Sequence, residues 1–382
     1  MNENFEINLN SLIKYNGSEE IIKIPDVIRF IEPNAFKDNN IIKKVILNNT
    51  EEIDNSAFNN CINLEYVDFN KTKKIGIYSF NNCISLKEII LNNIEIIEHG
   101  AFSFCTSLTK IILNGKLLKI PKCCFINCSE LIDIKFNNSL TIIDESAFED
   151  CLKIQKLILN DNLEIINNNA FFNCKSIQTI IFNNKLETIN NNAFNNCINI
   201  KFLEFNNNLK YIGEAAFNNN SSLRYLILND KIEKINRYTF NGCISLLNIH
   251  FGKNIKTIDR YGFTNCNSLA YIVFNDKLEE IDSYAFFRCK SLLYIKFNKN
   301  IKRIGRYSFF DCEKLISLYL NDIETIEKYA FHNCISLKYV YTNVKVKSHN
   351  IIINDNIIEK KYINIINKWF FNLYNKKFLK LI

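Results

Sequence analysis

The histidines are the first residues to consider for catalysis, because imidazole is the side chain most often used as a general base. The four lie far apart in the chain, and none has a Cys, Ser or carboxylate partner at a spacing that recurs in catalytic sites. They are His99, His250, His332 and His349. None of the nine glycines belongs to a glycine-rich phosphate-binding loop. We therefore expect a protein that is not an enzyme, has no small-molecule substrate and uses no cofactor.

The fourteen cysteines could form a disulfide framework or a metal site, or they could be buried thiols. Twelve of them stand three residues after a recurring phenylalanine, which predicts a row of small buried side chains. The other two, Cys123 and Cys124, lie close to Cys128, but no His or acidic residue at ligand spacing accompanies the three. We expect no metal site, and we expect reduced thiols of the cytosolic type.

A repeat of 22 or 23 residues organises the elements that must position these side chains. Its marker is a phenylalanine, which occurs in fourteen consecutive copies without a gap. The marker phenylalanines are Phe36, Phe58, Phe80, Phe102, Phe125, Phe148, Phe171, Phe194, Phe217, Phe240, Phe263, Phe286, Phe309 and Phe331. Ile stands five residues before the marker in every copy, and Asn stands twelve residues after it in thirteen copies. A fixed period of this length is typical of a solenoid.

Each copy predicts one coil of the solenoid. Apolar residues six, nine and eleven positions after the marker alternate with other residues at the end of this segment, as in a short strand with one buried face. The Asn that follows should end the strand and bond the backbone of the next turn. The marker and the Cys three residues later would share one face of a helical or 3₁₀ turn. The predicted fold class is therefore an α/β solenoid.

The order Leu-x-x-Ile-x-Phe followed by Ile-x-x-x-Ala-Phe-x-x-Cys resembles the BspA-type leucine-rich repeat over about residues 22–343. The resemblance implies a right-handed, curved coil of fourteen repeats with a concave sheet surface. It also implies a non-enzymatic protein-interaction scaffold or, as an alternative, a cell-surface adhesin that binds host or neighbouring-cell proteins. The family commonly has Pro after the strand, whereas this chain has Asn and only three prolines.

Both ends of the chain leave the repeat, and an open solenoid end needs covering. Residues 1–21 predict an N-terminal cap made of a strand and a short helix. Residues 344–382 predict a basic amphipathic helix, which would either cap the last coil or bind a membrane surface or a partner. The start of the chain has no basic patch followed by an apolar run, and no stretch is long and apolar enough to span a membrane. We expect a cytoplasmic protein, or a cell-surface protein if the resemblance governs.

Basic residues are concentrated in the C-terminal part of the chain. Residues 231–382 hold 25 Lys and Arg against 13 Asp and Glu, a net charge of +12, whereas residues 1–230 hold 22 against 27, a net charge of −5. Four cations stand three residues before the marker, each followed by Tyr: Arg237, Arg260, Arg306 and Lys328. This basic edge stripe is either a solvated face or a binding site for an acidic protein or an anionic membrane surface. No recognised nucleic-acid-binding module accompanies it, so we do not expect a nucleic-acid partner.

The outward residues of the strands are the candidate protein-binding site. The positions eight and ten residues after the marker should point away from the core, and their residue types vary between copies. The predicted contact residues are Phe202, Tyr225, His250, Tyr271, Tyr294, Lys296, Tyr319, Tyr339 and Tyr341. Tyrosines are good binding anchors, although aromatic residues are also favoured on strands in general. We expect a monomer that binds a protein partner of unknown identity.

Overall fold

The computed structural model describes residues 4–320 and 323–342, and it shows a β-solenoid of fourteen coils. Each coil contributes one strand to each of two rows, and within each row most strands of successive coils pair in parallel, one repeat apart, so that each row consists of several short sheets. Ile158 pairs with Ile181 in the first row, for example, and Ile189 pairs with Ile212 in the second. Neither row could fold alone, because each coil buries its apolar side chains only against its neighbours.

The first strand row consists of strands of three or four residues, and it includes a strand that precedes the first marker. Its members are Ile21–Lys23, Lys44–Ile46, Tyr66–Asp68, Glu88–Leu91, Lys110–Leu113, Asp133–Lys135, Lys156–Ile158, Thr179–Ile181, Phe202–Glu204, Tyr225–Ile227, Asn248–His250, Tyr271–Val273, Tyr294–Lys296, Ser317–Leu320 and Tyr339–Thr342. The second strand row consists of two-residue strands that end on the Ile five residues before the marker. Its members are Phe30–Ile31, Glu52–Ile53, Lys74–Ile75, Ile96–Ile97, Lys119–Ile120, Ile142–Ile143, Ile165–Ile166, Thr188–Ile189, Tyr211–Ile212, Lys234–Ile235, Thr257–Ile258, Glu280–Ile281, Arg303–Ile304 and Thr325–Ile326.

The predicted helical turn around the marker is wrong, and the described residues do not confirm the α/β class. Across residues 4–320 and 323–342 this segment forms consecutive turns, and no helix is present. The reason is that the residues two before and two after every marker have left-handed backbones, with φ between 54° and 73°. In one central coil these residues are Asn192 and Asn196. A right-handed helix cannot continue through such residues.

Residues near the N-terminus form an antiparallel hairpin of Phe5–Asn8 and Ser11–Tyr15. The second hairpin strand pairs in parallel with Phe30–Ile31 and so joins the second strand row. The short helix predicted here is wrong, because residues 11–15 form a strand, in which Leu12 and Tyr15 are buried. The N-terminal cap at residues 1–21 stays a prediction, and the predicted C-terminal element at residues 344–382 lies outside the described residues.

A continuous stack of the marker phenylalanines runs through the core. Successive ring centroids are 4.6–5.8 Å apart, and the rings lie within 16° of parallel. Tyr15 of the hairpin stacks on Phe36 at 5.2 Å and extends the row. The fourteen isoleucines five residues before the markers are also buried, as the repeat predicts.

The twelve repeated cysteines form a second buried row, and each donates a hydrogen bond to the preceding coil. Every Sγ lies 3.1–3.6 Å from the carbonyl oxygen of the marker phenylalanine one coil earlier. Where Asn220 replaces Cys, its amide donates to the Phe194 carbonyl at 3.0 Å. The position therefore requires a small buried donor, and both residue types supply one.

In several coils the Asn that follows the first-row strand links neighbouring turns, as the sequence predicted. The Asn206 side-chain oxygen accepts from the backbone N–H groups of Asn208 and Leu209 at 2.7 and 2.8 Å. Its side-chain nitrogen donates to the Asn183 and Leu186 carbonyls of the preceding coil at 2.6 and 3.1 Å. One side chain thus satisfies two donors of its own turn and two acceptors of the turn before it.

Candidate functional site

The outward side chains of the first strand row form the surface that we call the strand face. In each strand the middle residue points into the core, as Leu203, Leu226 and Ile295 do. The residues on either side of it therefore point outward, since side chains alternate along a strand. Parallel pairing places equivalent residues of successive coils next to each other, roughly 4.8 Å apart. The strand face is thus a regular array whose side chains are not needed to fill the core.

The predicted contact residues lie on this face in three paired groups. Phe202 pairs with Tyr225, which pairs with Asn248, and Glu204, Ile227 and His250 form the parallel line beside them. Tyr271 pairs with Tyr294, and Val273 pairs with Lys296. Tyr319 pairs with Tyr341 and Ser317 with Tyr339.

The side chains of the predicted contact residues differ in how exposed they are. Phe202 is 47% exposed, and Tyr339, His250 and Lys296 are also exposed. Tyr225, Tyr271, Tyr294 and Tyr319 are half-buried. Burial raises the pKa of the Tyr294 hydroxyl above its ordinary value. The side chain of Tyr341 lies outside the described part of the structure.

The strand face also carries an exposed apolar pair that the sequence interpretation missed. Ile158 and Ile181 are 51% and 45% exposed, and they pair across neighbouring strands. The next coil contributes Phe202, so three exposed apolar side chains follow one another on three coils. The signal was present in the sequence, because both isoleucines stand ten residues after a marker, but the predicted contact residues at this position were only aromatic, His or Lys residues of later coils. Exposed apolar side chains in a contiguous group are typical of interaction surfaces.

The basic edge stripe lies beside the turns that surround the markers, and it is combined with a stack of tyrosines. We call Tyr238, Tyr261, Tyr284, Tyr307 and Tyr329 the tyrosine ladder. Successive ring centroids are 4.6, 4.9, 5.1 and 5.2 Å apart, and the interplanar angles are at most 29°. The sequence showed that a Tyr follows each cation of the stripe, but it did not show that these rings stack.

Cations of the stripe lie against the rings of the ladder. The Arg237 guanidinium is 5.0 Å from the Tyr238 centroid, and the Lys328 ammonium is 4.8 Å from that of Tyr329. Arg306 lies between two rings, 4.9 Å from Tyr307 and 5.8 Å from Tyr329. Arg260 instead approaches a carboxylate, with its Nε 3.6 Å from Asp282. Three cations of the stripe therefore lie against tyrosine rings, and the fourth, Arg260, lies beside a carboxylate.

The residues considered for catalysis or metal binding are dispersed. His99 bonds the Tyr78 hydroxyl at 2.7 Å, His250 lies on the strand face, and His332 packs against Phe310. His349 is outside the described residues. Among residues 4–320 and 323–342, no group of three or more His, Cys, Asp or Glu side chains could hold a metal ion.

The cysteines have the properties of structural thiols. All fourteen are free, and only Cys123 is not fully buried. Burial raises the pKa of the Cys61 and Cys105 thiols to about 12, so that almost no thiolate is present at neutral pH. The thiolate is the reactive form, and these residues are therefore inert in the folded chain.

Comparisons with known proteins identify the repeat. A model of the BspA type leucine rich repeat region matches residues 10–131, 51–177, 95–224, 141–270 and 256–377, which overlap to cover most of the chain. A comparison with curated proteins found no match. Within the described part of the chain, no helix is long and apolar enough to cross a membrane.

Two solved structures share the fold. A leucine-rich repeat protein from Bacteroides ovatus is 23% identical with a TM-score of 0.71, and the alignment covers 90% of this chain and 96% of that one. A leucine rich cell surface protein from Faecalibacterium prausnitzii is 21% identical with a TM-score of 0.53, and the alignment covers 94% of this chain and 98% of that one. At this level of identity the likeness shows the solenoid fold.

Proposed function

Because this chain belongs to the BspA type leucine-rich repeat family, we propose that it is a non-enzymatic scaffold that binds a partner protein on its strand face. Tyr225, Tyr271, Tyr294 and Tyr319 would make the main contacts, with His250 and Lys296 among them. Phe202 and the exposed pair Ile158 and Ile181 would extend the contact surface toward the middle of the solenoid.

The observation that carries this proposal is the contrast between the core and the strand face. Core positions repeat one residue type from coil to coil, because every coil must fill the same space. Strand-face positions vary from Phe to Glu, His, Lys and Tyr on a backbone of constant geometry. Packing does not determine these residues, so they are available to match the surface of another molecule.

The chemistry of the strand face suits a protein partner. Large rings with few rotatable bonds lose little conformational entropy when they bind, and aromatic residues dominate measured interface energies. The half-buried tyrosines are already held by the coils around them, which reduces the entropy that binding would cost.

A pull-down with a double variant tests the choice of face. Tyr271→Ser with Tyr294→Ser should retain the wild-type far-UV circular dichroism spectrum and cooperative melting, and should fail to capture the partner that the wild type captures. The matched control is Tyr78→Ser with Tyr211→Ser, because both tyrosines are exposed and lie off the strand face. Equal capture by the wild type and the strand-face variant would refute this choice of face.

A cell-surface adhesin is the second candidate function, because one of the structures that share the fold is described as a leucine rich cell surface protein. The strand face would then bind host or neighbouring-cell proteins. An antibody against the folded protein distinguishes the two locations in cells that produce it. Staining of intact cells would support the adhesin, whereas staining only after permeabilisation would support a cytoplasmic scaffold.

A further inference from the structure

The tyrosine ladder is a second surface, separate from the strand face, with an unusual way of presenting aromatic rings. It spans five consecutive coils, and all five rings are half-buried. Because the rings stack face to face, each ring covers the faces of its neighbours. The exposed parts are therefore ring edges and hydroxyl groups. Ring edges carry the positive end of the aromatic quadrupole, and hydroxyl groups can donate hydrogen bonds, so both favour an anion.

The fold does not require tyrosine at this position. Each ladder residue stands two before a marker and has a left-handed φ of 56–67°. In eight of the first nine coils a smaller residue adopts the same backbone, for example Asn169, Asn192 or Gly100. A bulky side chain is unfavourable at such a φ, whereas Asn and Gly are well suited to it. Five tyrosines in succession therefore indicate a role for the surface that they form.

The outer layer of this surface is cationic. The side chains of Arg237 and Arg260 are 49% and 57% exposed, and that of Arg288 is 53% exposed. Of the nearby acidic partners, Asp282 and Asp311 are recessed, at 20% and 13% exposed, whereas Glu214 beside Arg237 is 50% exposed. Beside Arg260 and Arg288, a molecule that approaches the ladder would meet guanidinium groups and hydroxyls before it met the Asp282 and Asp311 carboxylates, and this complements a negative charge.

We propose that the tyrosine ladder and the basic edge stripe of Arg237, Arg260, Arg306 and Lys328 bind an acidic segment of a partner protein. The ladder is about 20 Å long, which corresponds to about six residues of extended peptide at ~3.3 Å per residue. Carboxylates of the segment would accept hydrogen bonds from the guanidinium groups and from the tyrosine hydroxyls. A single-stranded nucleic acid fits less well because its bases need free ring faces for stacking, and here the faces are covered. A membrane fits less well because the cations form a line and not a plane.

Binding of fluorescein-labelled decaglutamate to the full chain, followed by fluorescence anisotropy at about 0.15 M salt, tests this proposal. Arg260→Gln with Arg306→Gln should weaken binding about tenfold, equivalent to a loss of ~1.4 kcal/mol. The matched control is Lys73→Gln with Lys87→Gln, which removes the same charge from two exposed ion pairs several coils before the ladder begins. The control should bind within about twofold of the wild type, because a distant exposed charge is largely screened.

A second variant isolates the contribution of the rings. Tyr261→Asn with Tyr284→Asn places at two ladder positions a residue that already adopts the left-handed backbone in other coils. This variant should fold normally and should bind decaglutamate several-fold more weakly. The strand-face variant Tyr271→Ser with Tyr294→Ser should bind decaglutamate like the wild type. Loss of decaglutamate binding at the ladder can therefore be distinguished from loss of partner binding at the strand face.

Four results would overturn the proposal. They are the absence of decaglutamate binding, an equal loss in the charge control, unchanged binding by the ring variant, and tighter binding of an oligothymidine or of phosphatidylserine vesicles than of decaglutamate. The last result would assign the ladder to nucleic acid or to a membrane surface.

Discussion

Replacement of Phe194 by Ala tests the role of the phenylalanine stack at its centre. The Phe194 side chain is fully buried, and it stacks on Phe171 at 5.2 Å and on Phe217 at 5.3 Å. Coils on both sides hold the surrounding backbone, because the Phe194 N–H donates to the Ala216 carbonyl at 2.8 Å. We therefore expect the cavity left by the ring to stay open.

The expected loss follows from burial and stacking together. Phe→Ala substitutions at buried sites cost about 3–5 kcal/mol, and the cost is largest where the structure cannot collapse around the cavity. The rigid neighbours of Phe194 place this variant in the upper part of that range, at about 4–5 kcal/mol. Phe202→Ala is the matched control, because it is the same substitution eight residues later at a site that is 47% exposed. The control should cost less than about 1 kcal/mol, since only strand propensity and partial burial are lost.

Urea unfolding followed by far-UV circular dichroism measures both variants against the wild type. The reasoning would be refuted by a loss below about 2 kcal/mol for Phe194→Ala, or by equal losses in the two variants. Either result would mean that the stacked rings do not contribute to the stability of the solenoid as their burial indicates.

Three further predictions concern the buried polar rungs and thiols. Asn220→Ala should lower the free energy of unfolding in urea by about 1–3 kcal/mol, because it removes the partner of the buried Phe194 carbonyl. Asn220→Cys should lower it much less, because Cys makes this bond in twelve other coils. Equal losses in the two variants would contradict the donor role. A disulfide reagent at about pH 8 should label Cys123 alone in the folded chain and all fourteen cysteines in urea, and rapid labelling of a buried thiol without unfolding would contradict the packing. Thiols of the unfolded chain ionise near pH ~8.5, whereas burial raises the pKa of Cys61 and Cys105 to about 12 in the folded chain. The free energy of unfolding should therefore fall as the pH rises above ~8.5. A free energy of unfolding that stays constant up to pH ~11 would contradict this linkage.

The buried rows could be predicted because repetition aligns them. Ile189, Phe194 and Cys197 occur at fixed distances in nearly every copy, and each of them is buried in the structure. The turn Asn was also predictable, because Asn206 can satisfy local backbone groups only when the strand has ended. These features depend on local chemistry that recurs in every coil.

The conformation around the marker was not predictable from spacing. A helical turn and a succession of left-handed turns both place residues three apart on one side, so that Phe194 and Cys197 are compatible with either. The Asn at position 196 favours a left-handed backbone, but Tyr238 and its equivalents do not, and only their backbone angles reveal it.

The two surfaces were predictable to different degrees. Alternation along the strands identified the outward positions of Phe202 and Tyr271, but it gave no measure of exposure, and the exposed Ile158 was overlooked. The tyrosine ladder depends on how side chains of neighbouring coils orient relative to each other, and sequence periodicity carries no information about ring planes.

Photo-crosslinking in cells that produce the protein tests the proposed strand-face interaction most directly. A photoreactive benzoylphenylalanine would replace Phe202 on the strand face or Tyr211 on the second strand row; both residues are exposed and aromatic. If the strand face binds a partner protein, the replacement at Phe202 should give a crosslinked adduct of discrete mass, and the replacement at Tyr211 should give none. An adduct from Tyr211 alone, or no adduct from Phe202, would contradict the proposed binding surface.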